Sequence, residues 1–172
     1  EIYNIFAKLM EGMAVMPDAK IVANGDLPIF NYDQMKNYNK TYFGIRDYQK
    51  ASEDYNLDAE VNSDGILCPH CHHVLKYKLN NYSSLGDYAC PNCDFKTPVI
   101  DYAIDKLIKL DANYSEFIVG DEFYEVNVGG LYNVYNALAA LSVAKEIGLS
   151  YEEIYEGLRS QKNVFGRQEN ID

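Results

Sequence analysis

CPHCHHVLKYKLNNYSSLGDYACPNC, running from Cys68 to Cys93, holds all four cysteines and all three histidines of the chain. The spacing is Cys-x2-Cys, then 18 residues, then Cys-x2-Cys. Each pair can form a tight knuckle whose backbone N–H groups face the sulfurs. Two knuckles at the ends of a short hairpin place four thiolates tetrahedrally around Zn2+. Pro69 and Pro91 each follow the first cysteine of a pair and favour the turn. Between the knuckles HVLKYKL alternates apolar and polar residues, as a strand should, and SSLGDYAC has the form of a turn and a returning strand. The pattern predicts a zinc ribbon with Cys68, Cys71, Cys90 and Cys93 as ligands.

Two other readings of the cysteines are weaker. The opening EIYNIFAKLMEGM lacks the basic flank and apolar stretch of a secretion signal. The expected compartment is therefore the reducing cytoplasm, where thiols persist and paired disulfides are disfavoured. A catalytic zinc would need an open position for water, and four thiolates close the shell. His70, His72 and His73 could replace a cysteine only by breaking the symmetric spacing, so they are expected to be solvated knuckle residues.

Residues 62–99 are expected to be too few to build a core of their own, and units below about 40 residues usually need a metal or disulfides. Structural zinc supplies roughly 10–16 kcal/mol of apparent binding free energy in small peptides, coupled to folding. The ribbon is thus expected as a stapled insertion. Lys76, Lys78 and Lys96 are balanced there by Asp64, Asp87 and Asp94, and zinc with four thiolates carries two further negative charges. That disfavours nucleic acid as a partner. So does the whole chain, with 15 Lys and Arg against 26 Asp and Glu and a net charge of -11.

Working outward, residues 1–61 begin with apolar positions Ile2, Ile5, Phe6, Leu9, Met10 and Met13 at helical spacing. Pro17 breaks that pattern. KIVANGD, Lys20 to Asp26, predicts a buried strand ending in a loop, and Tyr42 to Ile45 a short strand. Asp47 to Leu57 is expected as a loop or short helix. In 100–165, Asp101–Leu110, Ser115–Val119 and Glu122–Val128 predict an antiparallel meander. A helix follows with an apolar stripe through Val134, Leu138, Leu141 and Ala144 to Ile147, ended by Gly148. Ser150-Tyr151-Glu152-Glu153 fits a capping box, so a second helix starts there and runs to about Arg159. Residues 166–172 are expected as a linker. The chain has no initiator Met, which suggests that residue 1 lies inside a longer protein, and no apolar run approaches the roughly 20 residues of a membrane span.

Local physics leaves two readings for the polar candidates. Asn24 and Asp26 sit where ligands bind in open α/β sheets, at a strand's carboxyl end, or form an ordinary Asn-Gly turn. Asn133 and Asn136, three apart on one face of a helix start, can meet a purine edge or satisfy nearby backbone. Arg167 can clamp a phosphate or lie on the surface at a hinge.

Three segments together resemble the Mur ligase family. NGDLP (Asn24 to Pro28) resembles its Asn-x-Asp-x-Pro segment. GLYNVYNALAA (Gly130 to Ala140) resembles its Gly-x-His-Asn-x-x-Asn-Ala-Leu-Ala-Ala helix start, with Tyr132 where His is common. FGRQE (Phe165 to Glu169) resembles the entry to its C-terminal domain. The inserted four-cysteine ribbon resembles the MurT branch, the ligase subunit of lipid II isoglutaminyl synthase. The resemblance implies an α/β fold: the later part of a Mur ligase-type central ATPase domain carrying an inserted zinc ribbon. It implies ATP and Mg2+ as cofactors, Asn133 and Asn136 on the adenine side, Arg167 at the terminal phosphate, and Asn24 and Asp26 along the same cleft. It further implies a GatD-like glutaminase subunit as partner and lipid II as substrate, its D-glutamate α-carboxyl being amidated to D-isoglutamine. No Gly-x4-Gly-Lys-Ser/Thr occurs in the chain. These 172 residues alone are therefore expected to be inactive. The alternative is a zinc-ribbon protein-interaction module without ligase activity.

Overall fold

The structure is a computed structural model that describes residues 2–13, 15–16, 18–31, 38–47, 51–59 and 66–161. The elements are α1 (Ile2–Met13), β1 (Lys20–Asn24), a 3-10 turn (Pro28–Asn31), β2 (Asn39–Ile45), β3 (Leu57–Asp58), β4 (Lys76–Tyr82) and β5 (Leu85–Ala89). Then come β6 (Tyr102–Leu110), β7 (Ser115–Val119), β8 (Glu122–Val126), α2 (Leu131–Glu146) and α3 (Tyr151–Arg159). The fold is mixed α/β, as the sequence predicts. The larger sheet has strand order β1-β2-β6-β7-β8 and the smaller β3-β4-β5.

The chain divides into two compact units, residues 1–42 with 50–101 and residues 43–49 with 102–172. In the first unit, β4 and β5 form the antiparallel hairpin predicted between the knuckles, with β3 added antiparallel to β4. Its core is Cys68, Leu75, Tyr77, Tyr88, Cys90 and Phe95. Tyr88 stacks on Phe95 at 5.5 Å between ring centroids and meets Tyr77 edge-on at 6.2 Å. The ribbon therefore does have a core, but a small one in which two of the six residues are cysteines. Its packing and its sulfur site are one feature. As expected, β1 ends at Asn24 and Gly25 and Asp26 turn the chain, although of its five residues only Ala23 is buried.

In the second unit, the end of β2 pairs parallel with β6, Phe43 opposite Tyr102 and Ile45 opposite Ile104. Parallel neighbours need a long connection, and here residues 46–101, including the ribbon, supply it. β6, β7 and β8 form the predicted meander, with Phe117 opposite Tyr124. Alternation is clean on β7, where Ser115, Phe117 and Val119 are buried. Val134, Leu138 and Leu141 on α2 are buried as the stripe requires, together with Tyr135 and Ala137. Ile147 lies outside that core at 70% exposure, because the helix has already ended at Glu146 and Gly148 turns away with φ +85°. Ser150 caps α3: its hydroxyl accepts from the Glu153 amide while Glu153 accepts from the Ser150 amide.

Candidate metal centre

The two knuckles are built alike. Cys68 N–H donates to His73 O at 2.8 Å, and Cys90 N–H donates to Phe95 O at 2.7 Å, each closing a loop of the same length. His72 takes a left-handed backbone, φ +60°, and its amide bonds back to Cys68 O. Amides then point at the sulfurs: His70 and Cys71 at Cys68, His73 at Cys71, Asn92 at Cys90 and Phe95 at Cys93. The hairpin brings the two knuckles to one end of the ribbon.

Four sulfurs converge there, all within 4.8 Å of one another. Cys68 and Cys93 Sγ atoms are 3.5 Å apart, Cys71 and Cys90 3.4 Å, and Cys71 and Cys93 3.6 Å. Four sulfurs at about 2.3 Å from a tetrahedral zinc stand about 3.8 Å from one another. A disulfide would need about 2.0 Å, and all four thiols are free. The donor set thus fits a closed tetrahedral site for a soft divalent cation.

Without a cation the four thiols do not ionise together. Burial pushes the Cys68 thiol up. The His73 amide draws Cys71 down to about 5 against the cost of its desolvation. At Cys93 the Phe95 amide pulls downward, but desolvation and the three neighbouring sulfurs outweigh it and raise the thiol to about 12. A divalent ion relieves that repulsion and displaces the remaining protons. The histidines are not among the four converging sulfurs, but a His70 ring nitrogen lies within 4.8 Å of Cys93 Sγ and of an Asp94 carboxylate oxygen. All three histidines are exposed; His70 lies against Phe95, and His73 Nδ1 lies 3.2 Å from Cys71 O.

The other candidates fall in both units. In the first, Asn24 ends β1 and its Oδ1 accepts from the Asp26 amide at 3.0 Å. Asp26 is fully buried. Its carboxylate Oδ2 lies 3.4 Å from Asn81 Nδ2, and its carbonyl accepts from the Gly86 amide at 3.0 Å. In the second unit, Asn133 is half-buried in the first turn of α2 and its Nδ2 donates to Gly129 O at 2.7 Å. Asn136 is exposed one turn further on. Gly130 precedes the helix with φ +83° and no side chain caps it. Gly129 is obligatory, since a Cβ there would lie 2.1 Å from Asp111 O. Arg167 lies outside the described residues. Sequence reasoning missed Asn81, the buried partner of Asp26. Its signal was faint: adjacent Asn80 and Asn81 inside a strand pattern, where asparagine is disfavoured.

No protein-family model matches the chain. It is 39% identical over 171 residues to the lipid II isoglutaminyl synthase subunit MurT of Streptococcus pneumoniae, covering 99% of this chain and 37% of that protein. It is 27% identical over 150 residues to MurT of Staphylococcus aureus strain COL, covering 87% of this chain and 32% of that protein. Among solved structures, a pseudomurein peptide ligase type C from Methanothermus fervidus superposes with a TM-score of 0.67 at 31% identity, covering 89% of this chain and 29% of that one. The chain thus spans about a third of the length of the curated relatives it matches. Aligned along nearly its whole length, the chain belongs to the MurT branch of the Mur ligase family.

Proposed function

We propose that this chain is the later part of the central ATPase domain of a ligase that amidates the D-glutamate α-carboxyl of lipid II during peptidoglycan synthesis in the cytoplasm. The observation that carries this reading is the 39% identity to a lipid II isoglutaminyl synthase subunit across 99% of the chain, ribbon included. In the proposed reaction the α-carboxylate attacks the γ-phosphorus of ATP and expels ADP. Ammonia, released from glutamine by a partner glutaminase, then attacks the acyl carbon and displaces phosphate, leaving the amide of D-isoglutamine.

Within that reaction the chain's own residues bind and orient. Asn133 and Asn136, at the start of α2, offer amide donors and acceptors suited to a purine edge. Arg167 pairs with the terminal phosphate. Asn24 and Asp26 would border the same nucleotide, whose phosphate charge Mg2+ would offset. Cys68, Cys71, Cys90 and Cys93 hold Zn2+, which supplies the fold of the ribbon and no chemistry, because a four-thiolate shell has no open position.

The test uses the full-length protein with its glutaminase partner, ATP, glutamine and lipid II, read by mass spectrometry of the stem peptide. Amidation that is lost in Asn133→Ala and Arg167→Ala supports the reading. Absence of amidation with both subunits present overturns it in favour of a ribbon interaction module. The 172-residue piece by itself, which contains no Gly-x4-Gly-Lys-Ser/Thr, is expected to bind ATP weakly and to turn over nothing.

A further inference from the structure

We propose that the ribbon hairpin is a positioning element for the Asn24–Asp26 loop, with Asn81 and the Gly86 amide as the groups that hold it. Asn81 lies on β4 and Gly86 on β5, so both belong to the hairpin whose far end carries the four sulfurs. The loop and the hairpin lie in the same compact unit. Asn81 is 4% exposed and Asp26 0%, so the Asn81 amide meets the carboxylate where water cannot substitute for it. The Gly86 amide bonds to the carbonyl of the same residue. Gly86 has φ +157°, and a Cβ there would stand 1.9 Å from Leu79 O, so the close approach of this backbone admits only glycine.

The hold continues past the loop. Asn31 Nδ2 donates to Lys96 O, on the segment leaving the second knuckle. On the far side of the loop a Cβ on Gly25 would lie 2.3 Å from Ile100 Cδ1 and 3.2 Å from Tyr42 Cβ. The loop is therefore pinned from the ribbon at Asn81 and Gly86, Lys96 holds the turn that follows it through Asn31, and Gly25 leaves no space for a side chain. From Lys76 to Asn81 the strand advances about 16 Å, at roughly 3.3 Å per residue. Tyr77, on that strand, bonds its hydroxyl to Ser84 O in the hairpin turn. The ribbon thus stiffens a loop at a distance from its own sulfurs.

This proposal rests on the reading that Asn24 and Asp26 border the nucleotide. The experiment measures the Kd of ATP by calorimetry on the full-length ligase, with melting temperature and metal content of each variant. Asn81→Ala is expected to raise the ATP Kd about tenfold, equal to about 1.4 kcal/mol. Metal content and kcat at saturating ATP should stay at wild-type values, so that KM alone moves. Lys78→Ala, an exposed position on the same strand, should change none of these. Should Asn81→Ala fail to fold, Asn81→Ser carries the same comparison. A lower melting temperature with unchanged Kd in the Asn81 variant, while Asn24→Ala weakens ATP, makes Asn81 merely structural and overturns the proposal. Unchanged Kd in both variants removes the loop from the nucleotide site, and the underlying reading falls with it.

Discussion

At the scale of single residues, the four cysteines do two jobs with one set of atoms. Cys68 and Cys90 are buried members of the ribbon's core and also two of its four sulfur donors. Losing any one sulfur opens the shell and removes packing together. Cys90→Ser is expected to reduce zinc from about one ion per chain to a small fraction, measured by elemental analysis of the reduced protein, and to lower the melting temperature. Retention of full zinc occupancy would exclude Cys90 as a ligand. The cysteine set was legible because two Cys-x2-Cys pairs flanking a hairpin pattern have few uses besides holding a metal. Asp26 and Asn81 were not legible as a pair, since 54 residues separate them in sequence and nothing local says that they meet. The four-sulfur site shares its logic with buried charge in general: isolated thiolates repel, and only a cation or a proton keeps them together.

At the scale of elements, α2 and α3 are held by different means. The apolar face of α2 packs through Val134, Leu138 and Leu141, all fully buried. Leu141→Ala should cost about 2–5 kcal/mol in chemical denaturation, the range for a leucine whose cavity cannot close. The short helix α3 depends more on its start. Ser150→Ala removes a capping box and should cost about 1 kcal/mol by the same measurement. Lys145 on α2 forms an ion pair with Glu122 on β8. Desolvation raises the Glu122 carboxyl, but Lys145 and the Tyr124 hydroxyl outweigh it and hold it below its ordinary value. A depressed carboxyl pKa stabilises the folded state above the unfolded pKa, and that gain is lost as pH falls through the folded value. Lys145→Met should therefore flatten the loss of stability below about pH 4.5. At pH 7 its cost should stay under about 1 kcal/mol, because the pair is partly exposed and screened. Urea titrations at acid and neutral pH check both. The capping box, the glycine after α2 and the alternation of β7 were readable because each is a local pattern. The early end of α2 was not, because Ile147 continues an apolar stripe that the packed helix no longer uses.

At the scale of the whole molecule, two compact units share one chain, and the ribbon belongs to the first with β1 and its loop. Chelation of the metal from the full-length protein should raise amide hydrogen exchange in β4 and β5, while β6, β7 and β8 keep their protection. Equal loss across all five strands would mean that the units open as one. Among the described residues no helix is long and apolar enough to cross a membrane. The resemblance to the Mur ligase family came from order and spacing across the three short segments plus the ribbon, and the alignment to the Streptococcus pneumoniae MurT spans all of them.

The sequence by itself determined what depends on neighbours a few residues apart: knuckle spacing, strand alternation, helix caps, and the chemistry that four thiols and paired asparagines can offer. Only the tertiary structure decided what depends on distant segments meeting. It brought two knuckles separated by 18 residues to one point, joined β2 to β6 across the inserted ribbon, and buried Asp26 against a hairpin formed more than 50 positions later. The physical reason is that local preferences act through backbone sterics and short hydrogen bonds, whereas burial is a property of the packed chain.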